Sequence, residues 1–429
     1  VLLISLILLL PACPAHASVL RSWVEMAPGG VALVRAVVDD GACPVASADG
    51  RELPLAVRVG PDEAFPVTVC EAQAPSGAAN VTVAGVVLRL PVAAPRRIVV
   101  LGDSGCRLVA PVAYQGCNDP AAFPLSRLAG MAAAMNPDLI LHVGDYYYRE
   151  AACPPGGMFD CEGSPHGDTW AAWDADWFGP AEPLLHAAPL AFSRGNHESC
   201  GRGQGGWFRL LDPYPYQAEA AGCARGSAFD TEAPYWVSLG AARLLMFDSS
   251  FANDYAAANS AKLAAIYAGQ LRAALAEKGA PAILATHRPP FGAIGVANGV
   301  IAGGNADLQA ALQAVKPDGI GLFLSGHIHS FEALMWDAAD PAYPPQLVVG
   351  TGGTRLDTLK LPSHLAGTAF APAPGLDPLR AGLVTKGEFG FAVLDAVPGG
   401  YSVTQYDLGG SVAANCMIAL VARRLTCSQ

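Results

Sequence analysis

Two aspartates, an asparagine, three histidines and a tyrosine stand in short motifs spread over more than half of this 429-residue chain. The motifs are GDSG at Gly102–Gly105, GDYYY at Gly144–Tyr148, GNHE at Gly195–Glu198, THR at Thr286–Arg288 and GHIH at Gly326–His329. Oxygen and imidazole donors in that number suit a pair of bound metal ions, provided that several loops bring them together. A single Gly-Asp is an ordinary turn, so neither Asp103 nor Asp145 means much alone. Asn196 offers a weak amide-oxygen ligand, which makes sense beside a hard cation. His287, His327 and His329 supply imidazoles, the commonest nitrogen ligands. One residue separates His327 from His329, so in extended chain both face one side. The other histidines, His142, His166, His186 and His364, read as packing or surface residues.

Donors scattered this widely need a rigid frame. Each motif follows a hydrophobic run: IVVL precedes GDSG, DLILHV precedes GDYYY, PLAFSR precedes GNHE, AILAT precedes His287 and LFLS precedes GHIH. Buried strands that end in functional loops are the pattern of an α/β sheet, where ligands sit beyond the carboxyl ends of the strands. RLLMF before DSS and QLVV before GTGG extend the series, and an Ala-rich stretch at Phe123–Met135 predicts a helix. The Pro-, Ala- and Gly-rich stretch Leu361–Leu376 predicts an irregular loop. Residues 18–95 differ, with short β-rich runs split by Gly, Pro and Asp turns that predict a small antiparallel, sandwich-like β-domain. AAPRR at Ala93–Arg97 reads as its linker to a catalytic region at 96–408, and 409–429 forms a C-terminal segment with a cystine.

Composition narrows the class. Hydrophobic residues make up 52% and charged residues 15%, with a net charge of −11 and no basic stretch, which argues against a nucleic-acid surface. The opening VLLISLILLLPACPAHAS reads as a signal peptide over residues 1–17, truncated at its basic end, with a small-residue cleavage pattern at Ala15-His16-Ala17. Pro11 disfavours the competing lipoprotein signal at Cys13, and no other run is long enough for a transmembrane anchor. Beyond Cys13, ten cysteines fall in neighbouring couples: Cys43 and Cys70, Cys106 and Cys117, Cys153 and Cys161, Cys200 and Cys223, Cys416 and Cys427. Five local disulfides in a secreted or periplasmic protein are expected.

The motif set resembles the calcineurin-like metallophosphoesterase superfamily over about Ile98 to Asp407. Asp103-Ser104-Gly105 lacks the histidine of the usual DxH, while Tyr148 follows Asp145 at three residues, and this exchange is similar to the purple acid phosphatases. The resemblance implies an α/β (α+β) four-layer αββα sandwich carrying the small N-terminal antiparallel β-domain. It implies a first metal on Asp103, Tyr148 and His329, a second on Asn196, His287 and His327, and Asp145 as the bridge. Fe(III) belongs at the Tyr148 site and Fe, Zn or Mn at the second, acidifying a water that attacks phosphorus. His197 is then phosphate contact or general acid with Glu198 to orient it, and Asp145 counts with it as catalytic. The histidines that follow the fourth motif in plant-type members are missing from RPPFGAIGVANG, so Arg288 and Arg194 become candidate phosphate-binding cations. The expected function is an exported phosphatase acting on phosphomonoesters. A phosphodiesterase or nucleotide hydrolase on the same metals, and an inactive secreted binding protein of this fold, are the alternatives; the oligomeric state stays open.

Overall fold

A computed structural model describes residues 18–428 apart from 40, 112, 255–259, 339–340, 359–360 and 372–378. The signal-peptide reading of residues 1–17, with Cys13, lies outside the described residues. Side-chain parity explains the layering. In the strand Arg97–Leu101, Ile98 and Val100 face one core while Val99 and Leu101 face another, because alternate residues of a strand point to opposite sides. Ile98, Val100, Leu139 and Leu141 meet Leu244, Met246, Ile283 and Leu322 of a second sheet. The outer face of the first sheet is covered by the helix Leu125–Ala134, which buries Leu125, Leu128, Ala129 and Ala132 at helical spacing. The outer face of the second is covered by the helices Ser260–Ala276 and Ala306–Val315, the latter capped by Asn305 Oδ1, which accepts from Leu308 N at 3.1 Å. The result is the expected αββα sandwich with a β-rich N-terminal region.

The strands before the motifs run parallel within each sheet. Arg97–Leu101, Leu139–His142 and Leu190–Phe192 are neighbours in the first sheet. Arg243–Phe247, Ala282–Thr286, Ile320–Ser325 and Gln346–Val349 are neighbours in the second. Their carboxyl ends therefore open on one common edge.

The flanking regions are joined to this frame. Val19–Ala27 lies beside Leu190–Phe192, with Glu25 opposite Leu190, so the N-terminal strands continue the first sheet. A separate four-stranded sheet packs on them through Val24, Val34, Val38, Ala46, Val81 and Leu88. At the opposite edge, Val412–Ala419 and Arg424–Cys427 complete the same sheet. The loop expected at Leu361–Leu376 is a strand over His364–Ala371; antiparallel pairing with Leu379–Lys386 outweighs its Gly and Ala content, with a register irregularity between Leu365 and Thr368. The cystines are Cys43–Cys70, Cys106–Cys117, Cys153–Cys161, Cys200–Cys223 and Cys416–Cys427, the couples expected from spacing and consistent with an oxidising compartment. Among the described residues, no helix is long and apolar enough to cross a membrane.

Candidate metal centre

Several donors are held by backbone that side chains rarely adopt. Asp103, Asp145 and His327 have φ of 57°, 62° and 72°. Left-handed φ outside glycine costs energy and persists where the surroundings enforce it, often at functional sites. Gly144 at φ 100° makes the turn before Asp145 possible, because a Cβ there would stand 2.6 Å from His287 Nδ1.

Four loops converge on two carboxylates. The Tyr148 hydroxyl lies 2.7 Å from Asp145 Oδ2, 2.9 Å from His329 Nε2 and 3.2 Å from Asp103 Oδ1. At the same oxygen of Asp145, His287 Nε2 lies 3.2 Å from Oδ2, and it is 3.0 Å from Asn196 Oδ1. Ligand atoms of Asp145, His287 and His327 all fall within 4.8 Å of one another, a candidate metal site. The chemistry of the donor set fits a cation. A phenol donates one hydrogen, yet three acceptors surround it, so the cluster holds more lone pairs than protons. Burial, and then the Asp145 and Asp103 carboxylates, hold the Tyr148 phenol well above its ordinary range, a cost that a bound cation would reverse. His287 Nδ1 is 2.9 Å from Val143 O, and His329 Nδ1 is 2.8 Å from Arg355 O. Each bond engages Nδ1 and turns Nε2 toward the cluster. Against the pull of burial, Asp145 holds the His287 imidazolium up to about 9 and Asp103 raises that of His329, protons that a bound cation would replace.

The supporting groups are mostly ones that the motifs did not reveal. Glu198 does not touch the His197 ring; it accepts the backbone N–H groups of Asp145 at 3.1 Å, Tyr146 at 2.9 Å, Tyr147 at 3.1 Å and Gly195 at 2.9 Å, and so ties GNHE to GDYYY. The carboxylate beside His197 Nδ1 is Glu150, at 2.7 Å. Asp176, fully buried, accepts from Cys106 N at 2.9 Å, Tyr148 N at 2.7 Å and Arg149 Nε at 2.6 Å, which locks the first two motifs together. His142, expected as packing, also carries polar work. Its Nε2 is 2.8 Å from Ser104 Oγ, its Nδ1 accepts from Gly144 N at 3.2 Å, and its ring stacks on Tyr146 at 4.0 Å. Burial pulls its pKa well down, which keeps Nδ1 an acceptor. These partners come from distant loops without periodicity; only the carboxylates' isolation among apolar residues, as in WDADWF for Asp176, hinted at them.

The donors line an open cleft of about 280 Å³. Asp145, Tyr148, Asn196, His197, His327 and His329 reach it, as does Arg288. Arg288 Nη1 is 2.9 Å from His327 Nε2 and pairs with Asp254, a residue that sequence reading missed. Arg194 is not brought to the cleft. It is 1% exposed, donates to Glu198 O at 3.1 Å and Phe229 O at 2.7 Å, and packs over Phe208. The arginine of that segment which does reach the cleft is Arg202, with Nη2 2.8 Å from His197 Nδ1. Trp207 is turned inward, its indole N–H donating to Glu232 at 2.8 Å.

Comparison with known proteins agrees with this fold. A family model described as calcineurin-like phosphoesterase matches residues 96–331. A purple acid phosphatase, PPD1 from yellow lupin (Lupinus luteus) seeds, superposes with a TM-score of 0.52 at 14% identity, covering 92% of this chain and 73% of its own. A structure of PhoD superposes with a TM-score of 0.54 at 10% identity, covering 98% of this chain and 94% of its own. Identities this low show a shared fold. No curated protein matches the chain.

Proposed function

The chain belongs to the calcineurin-like phosphoesterase family, and from that premise we propose that it is an exported phosphatase of the purple acid phosphatase type, hydrolysing phosphomonoesters with two metal ions. One observation carries the reading: the Tyr148 hydroxyl sits among Asp103, Asp145 and His329 with too few protons for its neighbours. In this reading Asp103, Tyr148 and His329 hold Fe(III), while Asn196, His287 and His327 hold Fe, Zn or Mn. Asp145, whose Oδ2 meets both Tyr148 and His287, would serve both ions. Bound there, the ions would polarise the phosphoryl oxygens and lower the pKa of an attacking water.

The chain's own part is positioning and proton transfer. His197 lines the cleft with Glu150 2.7 Å from its Nδ1 and Arg202 Nη2 2.8 Å from Nδ1 and 3.1 Å from Nε2, so a substrate oxygen would meet the imidazole beside the Arg202 guanidinium. Burial draws the imidazolium down to about 4, so protonation of Nε2, and delivery of that proton to the leaving oxygen, is favoured in acid. Arg288 holds a phosphoryl oxygen from the His327 side. The five cystines support export.

The test is release of p-nitrophenol from p-nitrophenyl phosphate and from its bis-ester, with protein reconstituted in iron plus zinc or manganese. Preference for the monoester, lost in Asp145→Asn, is expected. Preference for the bis-ester would make the protein a phosphodiesterase. Turnover of neither, with both metals bound, would leave a binding protein.

A further inference from the structure

Three arginines line the cleft, and they are not equivalent. Arg202 is neutralised by Glu150 and Arg288 by Asp254. Arg107 has no such partner. Among the described residues its guanidinium makes no hydrogen bond or ion pair, and its Nε is buried without a partner. Leaving a buried donor unmade costs free energy, so an unpaired guanidinium at a cleft wall is a vacancy for an anion. The nearby carboxylates are already committed. Asp357 Oδ2 accepts from His329 N at 2.9 Å, and Asp103 Oδ2 accepts from His327 N at 2.8 Å.

The backbone that presents Arg107 is firmly held. Cys106 is joined to Cys117, and Cys106 N donates to Asp176 at 2.9 Å. Arg107 N donates to Gln115 Oε1 at 3.0 Å, and Gln115 N donates back to Arg107 O at 2.9 Å. Leu108 N donates to Tyr148 O at 3.0 Å, which ties the segment to the loop that carries Tyr148. The side chain stands close enough to Tyr148 and His329 for its charge to act on both. A cation so placed is preorganised, and it is the cleft's counterweight to a molecule of net charge −11, whose field repels anions at long range.

We propose that Arg107 is the receptor for the phosphoryl oxygen that stays charged in a monoester and is esterified in a diester, and so sets preference for the monoester dianion. This rests on the phosphatase reading above. The metal donors serve both ester classes; the second negative charge of the monoester needs a cation that no protein carboxylate already occupies. A guanidinium offers paired N–H groups that match two phosphate oxygens, which an ammonium cannot do.

The test compares wild type, Arg107→Gln and Arg107→Lys, each checked for unchanged metal content and melting temperature. Kinetics are measured on p-nitrophenyl phosphate and its bis-ester, and inorganic phosphate binding is measured by calorimetry. In Arg107→Gln, KM for the monoester and the dissociation constant of inorganic phosphate should both rise roughly tenfold or more, with less than about a twofold change for the bis-ester. Arg107→Lys should recover part of that loss, because charge returns without the paired geometry. Unchanged phosphate binding, or equal losses on the two esters, would overturn the proposal. If wild type hydrolyses neither ester, the phosphatase reading fails by itself. The phosphate titration then decides on Arg107 alone, weaker binding in Arg107→Gln supporting it and equal binding overturning it.

Discussion

Two buried polar clusters in this protein are built on opposite principles. Around Arg35, charges alternate. Its guanidinium meets Glu25 at 2.6 Å and Glu71 at 2.8 Å, and donates to the carbonyls of Leu210 and Asp212 at 2.9 and 2.6 Å. Arg58 adds a second cation, 3.1 Å from Glu71 and 3.0 Å from Phe208 O. Around Tyr148 the groups are nearly all acceptors, and no guanidinium pairs with Asp103 or Asp145 among the described residues. The first cluster pairs its charges internally, with Glu25 Oε1 alone left without a hydrogen-bond partner among the described residues of the cluster, and it fastens the N-terminal strands to the segment Trp207–Leu211. The second holds a candidate metal site, with Asp145, His287 and His327 ligand atoms within 4.8 Å of one another. Burial alone does not separate a structural site from a functional one; the balance of donors against acceptors does.

The largest effect should come from Asp145→Asn, which removes the carboxylate that meets both Tyr148 and His287. Hydrolysis and metal content are expected to fall together, hydrolysis by about 10² or more. Full metal content with unchanged turnover would break the contrast. Arg35→Leu is the mirror image. It leaves Glu25 buried without its cation and should cost roughly 3–5 kcal/mol in denaturant unfolding, with metal stoichiometry unchanged. Loading the metal-free protein at about 100 times the dissociation constant should add roughly 2.7 kcal/mol, read as a raised melting temperature, in wild type and Arg35→Leu alike. Glu332 provides a titrating control. It is fully buried, accepts from Ala293 N at 2.7 Å and Ser330 Oγ at 3.1 Å, and burial raises its pKa from 4.5 to about 8. Its contribution is therefore complete below pH 4.5 and is lost as pH rises through about 8. Glu332→Gln should flatten that decline, on the order of 2 kcal/mol; equal slopes in melting temperature against pH would exclude it. The smallest effect belongs to Arg97–Asp395, an ion pair at 2.7 Å with both side chains about 40% exposed. Arg97→Gln should cost about 0.5 kcal/mol or less, since water screens the pair.

The candidate donors were readable because each stands at a fixed offset from a glycine or a strand end, a local rule that sequence displays directly. The cystine partners were readable for the same reason, none lying more than 27 residues from its mate. Groups that act across the fold were not. Asp176 reaches Tyr148 from a separate helical segment, and Asp254 reaches Arg288 and His327 from another loop. Nothing in their neighbours' residue types fixes those distances. The pairing of Glu25 with Leu190 was hidden likewise, because the β-rich pattern of the N-terminal strands is the same whether they close on themselves or extend another sheet. His364–Ala371 became a strand through its partner rather than through its own composition. Arg194 and Arg202 show the limit most plainly. Both flank GNHE, and it is the carbonyls of Glu198 and Phe229 and the ring of Phe208, all tertiary partners, that hold Arg194 inward while Arg202 reaches the cleft.

The left-handed backbone at Asp103, Asp145 and His327 sets stability against service. Glycine at any of these positions would relieve a conformational penalty of about 1 kcal/mol while deleting a donor. A laboratory selection for heat resistance alone would thus be rewarded for dismantling the centre, and its survivors would be sturdy and inert. Any programme to toughen this protein must screen metal binding at every round, or confine its changes to the N-terminal strands and the outer helices.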